Sequence, residues 1–510
     1  MKIALINPIR RKDRSRDFYD LDLTRKLFGV IATLPLWMPT LAALTPKGIE
    51  VKIIDENIEE IDYDEKFDLV GIGALTKNTL RAYEIAKEFK ERGVKVVLGG
   101  IHASMLPEEA SQFADTILIG EAEHVWGNLI EDFSKGELKP LYRAQGYPCL
   151  EDSPVPRFDL IKSNRYSLNS IQTTRGCPFD CDFCSVKSYL GPQFRMKRME
   201  QIAQEIEACQ KFYEIDIFGR KLKLRKGFFI VDDNIIGNRS YAINLFKTLK
   251  RFKLTKWWCQ ASINLGKDLE LLSLMKDAGC GKVFIGIESV EQKTLEGFGK
   301  KVNKIEDYER SIKTIQSFGI EVVASFILGA DGDNDKTFGK TVDFINRNNL
   351  GLCVLNILFP LPGTRLFQKI EAEKRLLHKD WNKYDAQHAC HIPLGMSPQV
   401  LEEGFRWVNQ EIYSPAPFVK RMKGFWREGK LSLNDYAGDY LNSSAMDLLL
   451  YPIPVLRLLL SSGKKGFQIA LKLFAEILKG KGDFDSFIRA LIYSNYAFSM
   501  PKSRFMDKKM

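Results

Sequence analysis

Arg175-Gly176-Cys177-Pro178-Phe179-Asp180-Cys181-Asp182-Phe183-Cys184 is the stretch on which the reading of this chain turns. Its spacing is C-x3-C-x2-C, with an aromatic residue directly before the last cysteine. Three thiolates spaced in this way can each hold one iron of a 4Fe–4S cluster. The fourth iron is then left without a protein ligand, open to a small molecule it can activate. A structural zinc site would want four ligands, usually as two separated pairs, and no second C-x2-C pair follows. His378, His388 and His391 lie far along the chain. Nine cysteines, an odd number in 510 residues, argue against a disulfide framework. The other six (Cys149, Cys209, Cys259, Cys280, Cys353, Cys390) are scattered singly and read as buried thiols of a reducing compartment.

Working outward, Ser167–Thr174 reads as a short strand, with the cysteines in the loop at its carboxyl end. Strand-like and helix-like runs then alternate over residues 168–370. Helices are expected at Met199–Phe212, Tyr241–Phe252, Leu269–Ala278, Tyr308–Phe318 and Thr337–Asn346. Strands are expected at Gly227–Asp232, Lys256–Ala261, Lys282–Gly286, Glu321–Leu328 and Gly351–Leu358. That makes about six βα units, a partial barrel, and the active sites of βα barrels are built at the carboxyl ends of the strands. Polar residues gather there: Asp232, Asp233 and Asn234, then Gln260, Ser262 and Asn264, then Glu288 and Ser289. Paired carboxylates at Asp232 and Asp233 can serve a ligand or a metal, or Asp233 or Asn234 can cap the next helix. Gly329–Asp335 (GADGDND) lacks the spacing and terminal Glu of a calcium loop.

The first 145 residues read as an α/β domain. Lys2–Asn7, Val51–Ile54, Leu69–Ala74, Val94–Leu98 and Thr116–Ile119 are apolar, mostly β-branched runs, as strands buried on both faces require. Asn78–Arg92 is an amphipathic helix with Leu80, Tyr83, Ala86 and Phe89 at helical spacing. The alternation predicts a doubly wound, Rossmann-like parallel sheet whose ligand sits at the carboxyl strand ends. Those ends carry Asn7, Thr76, Asn78, Gly99, Gly100, His102, Gly120 and Glu121. Gly99 and Gly100 would let a bulky ligand approach the backbone, and would serve equally as turn residues. Residues 146–167 read as a linker, and residues 371–510 as a mostly helical C-terminal region.

The formal net charge is +10, and residues 415–510, with sixteen Lys/Arg and eight Asp/Glu, contribute +8 of it. Basic charge suits nucleic acid or an anionic membrane face. Leu448–Tyr451 and Val455–Leu460 are oily. Phe467, Ala470, Leu471, Phe474, Ile477 and Leu478 share one helical face opposite Lys472, Glu476 and Lys479. This pattern fits either a packed helical subdomain with a solvated basic face or peripheral membrane contact from about residue 440, with no nucleic acid expected. No run approaches the ~18 apolar residues of a membrane span, and no secretory leader is visible, so a cytoplasmic location is expected.

The cysteine motif resembles the signature of the radical SAM family. The resemblance implies that the open iron chelates S-adenosylmethionine, whose reductive cleavage yields a 5′-deoxyadenosyl radical. It also implies a low-potential electron donor such as flavodoxin or ferredoxin. By the same resemblance Phe183 lies near the adenine, Asp232 and Asp233 near the methionine amino group, Glu288 on the ribose hydroxyls, and Gln260 and Ser262 at the same cavity. LGGIHASMLPEEA and ADTILIGEAE resemble the cobalamin-binding domain that precedes many radical SAM domains. No D-x-H-x-x-G motif follows the first strand, where Arg10–Ser15 stands instead. The resemblance therefore implies cobalt without that axial histidine, or a domain that has lost the corrinoid. His102 is the other candidate ligand. Methylthiotransferases carry further cysteines in this domain; here the first cysteine is Cys149. Phe359–Thr364, Trp381–Asp385 and Gly395–Pro398 resemble a subgroup that includes hopanoid C-2 methylase and related membrane-lipid enzymes. The tail after about residue 415 reads as individual to this chain. Asp385 and His388 are the candidates for the substrate side. The expected activity is methyl transfer from cobalamin to an unactivated carbon of an apolar, lipid-like substrate. The alternatives are ring or carbon–carbon bond formation and, in another class, an iron–sulfur regulatory or RNA-binding protein.

Overall fold

Five of the apolar runs become strands where they were expected: β1 (Lys2–Asn7), β2 (Glu50–Asp55), β3 (Leu69–Gly73), β4 (Lys95–Gly99) and β5 (Thr116–Ile119). A sixth, β6 (Leu141–Arg143), joins them. The computed structural model describes residues 1–9, 33–166, 168–211, 214–217, 220–223, 227–254, 257–428, 467–469, 471–473 and 475. These fall into two compact units. One holds β1 and the described residues of Val30–Asp233 and Pro360–Asp385; the other holds those of Asn234–Phe359 and from Ala386 onward.

In the first unit the six strands form a fully parallel sheet in the order β2-β1-β3-β4-β5-β6. Alternate side chains leave opposite faces of a strand, and here both faces are buried. Ala4, Ile6, Val70, Ile72 and Leu98 pack with Ala82, Ala86 and Phe89 of the helix Thr79–Glu91. Ile3, Leu5, Leu69 and Leu118 pack with Met38 and Leu41 of the helix Trp37–Leu44 and with Trp126 and Leu129 of the helix Trp126–Ser134. Strand order reverses between β1 and β3, which opens a crevice at their carboxyl ends.

Residues 146–167 are more ordered than a linker. They form three short 3-10 turns, with Leu150, Phe158 and Tyr166 buried. They are tied to the sheet domain by Arg157 N donating to Pro39 O (2.9 Å) and the Tyr166 hydroxyl donating to Asp55 Oδ2 (2.9 Å). The compact unit therefore runs across the segments expected from sequence.

The strand expected over Ser167–Thr174 is two pieces, β7 (Asn169–Ile171) and β8 (Thr174–Arg175); Ser167 lies outside the described residues. The break has a cause. Thr173 N donates to the Asp232 carboxylate (2.7 Å), which takes it out of the ladder. β8 pairs antiparallel with β9 (Arg195–Met196), so a two-rung ribbon closes the loop that carries the cysteines. A hairpin of β10 (Glu214–Ile217) and β11 (Arg220–Lys223), not anticipated from sequence, precedes β12 (Phe228–Ile230), which pairs parallel with β7.

The second unit continues the alternation. β13 (Trp257–Ala261), β14 (Cys280–Glu288), β15 (Glu321–Leu328) and β16 (Cys353–Ile357) are parallel neighbours in that order. The helices Arg239–Phe252, Leu269–Asp277, Ile305–Ser317 and Asp335–Arg347 intervene. Asn238, Asp268 and Asn334 cap three of them with side-chain oxygens, the local chemistry that starts a helix in register with the strand before it. With β7 and β12 the described barrel strands number six. Among the described residues of the C-terminal region are the helices Pro398–Ile412 and Pro415–Glu428. The expected oily stretches Leu448–Tyr451 and Val455–Leu460 lie outside the described residues. Among the described residues no helix is long and apolar enough to cross a membrane.

Phe89 is wholly buried at the centre of one sheet face. Phe89→Ala should therefore cost about 3–5 kcal/mol of stability, read as a lower urea midpoint by far-UV circular dichroism. A change under about 1 kcal/mol would contradict the packing of that face.

Candidate active site

Cys177, Cys181 and Cys184 all sit in the loop between β8 and β9, and all three are partly exposed. Gly176 begins the loop in the left-handed region (φ 97°), and a Cβ there would come within 2.4 Å of Gln193 O. The chain can thus turn into the motif only with glycine at this position. Cys184 N donates to Cys181 O (3.1 Å) and Cys184 immediately precedes the helix Ser185–Leu190. Burial pushes the Cys184 thiol up to about 12, and the nearness of Cys181 and Cys177 adds to it. Three thiols this close oppose one another's ionisation, so the thiolate form calls for bound positive charge, which an iron cluster supplies. No three His, Cys, Asp or Glu side chains converge on a single-ion site among the described residues. Thiolates that each take a different iron of a cubane need not converge on one point. The donor set fits a cluster held through three irons.

Asp232 and Asp233 are adjacent but differ in role. Asp232 is fully buried. Its carboxylate accepts from Thr173 N, from the Thr173 hydroxyl and from the Thr174 hydroxyl (2.8 Å). Burial raises it to about 6 against the opposing pull of those bonds. Asp233 instead accepts from Gly176 N (2.8 Å), which places it against the start of the cysteine loop; burial raises it too. The polar work at this strand end is therefore divided: Asp232 holds the β7–β8 break and Asp233 addresses the loop.

In the second unit Asn234 and Ser262 bond each other (3.2 and 3.3 Å), and Ser262 reaches Asn264 (2.5 Å). Glu288 ends β14 in the left-handed region (φ 66°), rare for a residue with a Cβ, and pairs with Lys300. A Cβ at Gly286 would come within 2.2 Å of the Glu288 carboxylate, so the preceding glycine makes room for this strand end. Asn303 and Tyr308 tether Ile287 O (3.0 and 2.8 Å). Gln260, Phe284, Gly286, Ser325 and Asn356 are partly exposed in mid-strand between buried neighbours, and Asn356 donates to Ser325 (3.3 Å). They mark the open inner side of these strands. Of these, Gln260 was anticipated as a site residue and Gly286 as the end of its strand; Phe284, Ser325 and Asn356 alternate with apolar residues and carry no motif.

At the strand-order reversal, Asn7 donates to Asp55 (2.9 Å) and Asn78 donates to Pro8 O (2.9 Å), so the two sides of the crevice are pinned together. Thr76 is buried, while Leu75 beside it is 53% exposed, an apolar residue left at the rim of a polar turn. Gly100 needs its positive φ (92°), since a Cβ would strike Ala74 O at 2.7 Å; Gly99 carries no such demand. An exposed leucine and a glycine turn thus stand at the strand-order reversal, where ligands of doubly wound sheets sit. His102 is less accessible than expected of a metal ligand. It is wholly buried, with Nε2 3.3 Å from Glu109 and its ring edge-on to Trp381. Trp381 Nε1 and the Tyr83 hydroxyl also donate to that carboxylate (2.9 and 3.0 Å). The Trp381–Asp385 segment is thus anchored through Trp381 to the sheet domain. Asp385 is buried and His388 partly exposed. Gly120 turns the chain after β5, and Glu121 goes inward to Arg175 and Arg195. Arg175 stood inside the opening motif, but nothing in the sequence named its partner.

Comparison with known proteins agrees with this arrangement. Residues 171–345 match the Radical SAM superfamily, residues 30–130 the B12 binding domain, and residues 364–500 a Domain of unknown function (DUF4070). The last match corrects the expectation that the tail is individual to this chain, since residues 364–500 follow a family model. The chain is 33% identical over 400 residues to a bacteriochlorophyllide d C-8(2)-methyltransferase of Chlorobaculum tepidum, covering 74% of this chain and 88% of that protein. It is 29% identical over 357 residues to the hopanoid C-2 methylase of Rhodopseudomonas palustris, covering 68% and 66%. Its fold is similar to that of the cobalamin-dependent S-adenosylmethionine radical enzyme OxsB with aqua-cobalamin and S-adenosylmethionine bound. That likeness has a TM-score of 0.62 and 15% identity, and covers 98% of this chain and 79% of OxsB.

The buried acid yields a pH test. A carboxyl raised in the folded state binds its proton more tightly folded than unfolded, so it costs stability as pH rises from about 4 through about 6. Asp232→Asn should remove this loss and so make the slope of stability against pH more positive over that range. In cluster-free protein the melting temperature at pH 7.0 minus that at pH 4.5 should be more positive in the variant than in the parent; an equal difference would contradict the assignment.

Proposed function

The chain belongs to the cobalamin-dependent radical SAM methyltransferase family, and from that premise we propose that it methylates an unactivated carbon of an apolar, lipid-like substrate. When bound, the 4Fe–4S cluster supplies the electron that cleaves S-adenosylmethionine, and the corrinoid supplies the methyl group. The protein's part is binding, orientation and exclusion of water. In this reading residues 1–145 hold the corrinoid, residues 168–370 the cluster and S-adenosylmethionine, and residues 371–510 cover the substrate. Cys177, Cys181 and Cys184 ligate iron. Phe183 packs on the adenine, and Asp233 faces the methionine amino group while Asp232 supports the loop behind it. Gln260, Ser262 and Glu288 keep the S-adenosylmethionine roles expected of them. Asn7, Thr76, Asn78, Gly99, Gly100 and Gly120 line the corrinoid crevice. His102, buried against Glu109, is left as a packing residue. Asp385 and His388 remain the substrate-side candidates.

One observation carries the substrate class. Two relatives that cover two thirds or more of this chain are named for a bacteriochlorophyllide and a hopanoid. The few described tail residues support access to such a substrate from a membrane surface. Phe467 and Leu471, one helical turn apart, are 50% and 56% exposed, while Ile469 and Leu473 are buried. Exposed apolar residues on a basic tail suit shallow contact with an anionic leaflet.

Anaerobic reconstitution with iron, sulfide, S-adenosylmethionine and a reductant should yield 5′-deoxyadenosine, and Cys177→Ala, Cys181→Ala or Cys184→Ala should each reduce the yield to background. Lipid extracts of a host making the protein should contain a species heavier by one methylene, absent with Cys184→Ala. Methylation confined to a water-soluble metabolite would overturn the substrate class and leave the chemistry standing.

A further inference from the structure

Glu121 is buried (4% side-chain exposure) directly after the Gly120 turn that ends β5. One carboxylate oxygen meets Arg175 and the other lies 2.7 Å from Arg195 Nη1. Arg175 and Arg195 face each other as paired residues of the β8–β9 ribbon. Like charges directly opposite in a ribbon repel, and these two are largely buried, at 12% and 8% side-chain exposure. The carboxylate between them cancels that repulsion. Glu123 adds a second ion pair to Arg175 at 2.5 Å, so two acids face two bases. Most of the remaining donors are also used, although Arg195 Nε is buried without a hydrogen-bond partner among the described residues. Arg175 bonds Gln172 Oε1 (3.1 and 2.9 Å), and Arg195 donates to Pro148 O (2.9 Å) and Leu190 O (3.0 Å). The Tyr189 hydroxyl, from inside the cysteine loop, donates to Gly120 O (3.2 Å).

The ribbon is the stem of the loop that carries Cys177, Cys181 and Cys184. The acid that closes it comes from the carboxyl end of a sheet strand, where ligands of doubly wound sheets sit. We propose that Glu121 is a positioning residue that links the corrinoid crevice to the cluster loop. Through Arg175 and Arg195 it sets the stem of the loop and the β5 turn against each other, so that filling either site favours the arrangement the other needs. This inference rests on the family reading above. Two cofactors that serve one substrate would each have to be positioned on it, where a misplacement of about 1 Å can cost on the order of 10²-fold in rate, and a carboxylate bonded to both elements would hold the β5 turn and the loop stem together.

The test uses the full-length protein with and without its reconstituted cluster, and hydroxocobalamin as the probe, followed by visible spectroscopy. In the parent, the cluster should tighten hydroxocobalamin binding by at least about fivefold, and hydroxocobalamin should alter the electron paramagnetic resonance signal of the reduced cluster, since coupling is reciprocal. Glu121→Gln should abolish both effects while each site still fills. Glu123→Gln, which loses only one ion pair, should weaken them. Glu321→Gln breaks a buried pair with Lys282 in the second unit; it controls for general destabilisation and should keep both effects. Equal coupling in the parent and Glu121→Gln, or none in a parent that fills both sites, overturns the proposal alone. A parent that binds neither cluster nor corrinoid overturns the proposal and the family reading together.

Discussion

Three thiols must be brought into one short loop before any metal is present to hold them there, and the rest of the first unit answers that constraint. The loop carries Asp180 and Asp182 as well as the cysteines. Its order is imposed from outside. The β8–β9 ribbon closes its base, Asp233 takes the Gly176 N–H, and Arg365 engages Asp180 and Asp182 on its outer side. The outer pairs are half-exposed and so individually weak; the inner ones are buried and cannot be broken singly without stranding a charge.

The same logic explains the crowding of polar side chains at strand ends. A parallel strand that stops leaves N–H and C=O groups without ladder partners, and each must be satisfied. Asp232 does this at β7–β8, Asn78 at β1 and β3, and Asn303 with Tyr308 at β14. Residues chosen to finish the backbone therefore stand beside residues free to meet a ligand, and the two kinds are chemically alike. That is why Asp232 and Asp233 could not be told apart from their order in the chain. Only the direction of each carboxylate separates the one that serves the backbone from the one beside the cysteine loop.

Buried strands were legible because β-branched runs have few alternative fates. Lys2–Asn7, Thr116–Ile119 and Glu321–Leu328 occur as expected to the residue. Most helices were legible from spacing, within two or three residues at their ends. The β10–β11 hairpin was not, because EIDI and RKLK are short and heavily charged. Nor was the order of residues 146–167, whose ties to Pro39 and Asp55 join residues more than a hundred positions apart. His102 stood in a suggestive glycine context, yet burial beneath Trp381 gives it to packing. No local pattern announces a tryptophan some 280 residues away.

By itself the sequence determined the chemistry class and the architecture. The C-x3-C-x2-C spacing, the strand–helix alternation and the glycine turns are local patterns, and local patterns are written in consecutive residues. The tertiary structure decided which charges meet. Glu121, Arg175 and Arg195 are ordinary residues in sequence, and their significance comes from sharing one buried carboxylate between a sheet strand and the stem of the cysteine loop. Charge pairing is set by distance and by the loss of water around it, and neither can be read along the chain.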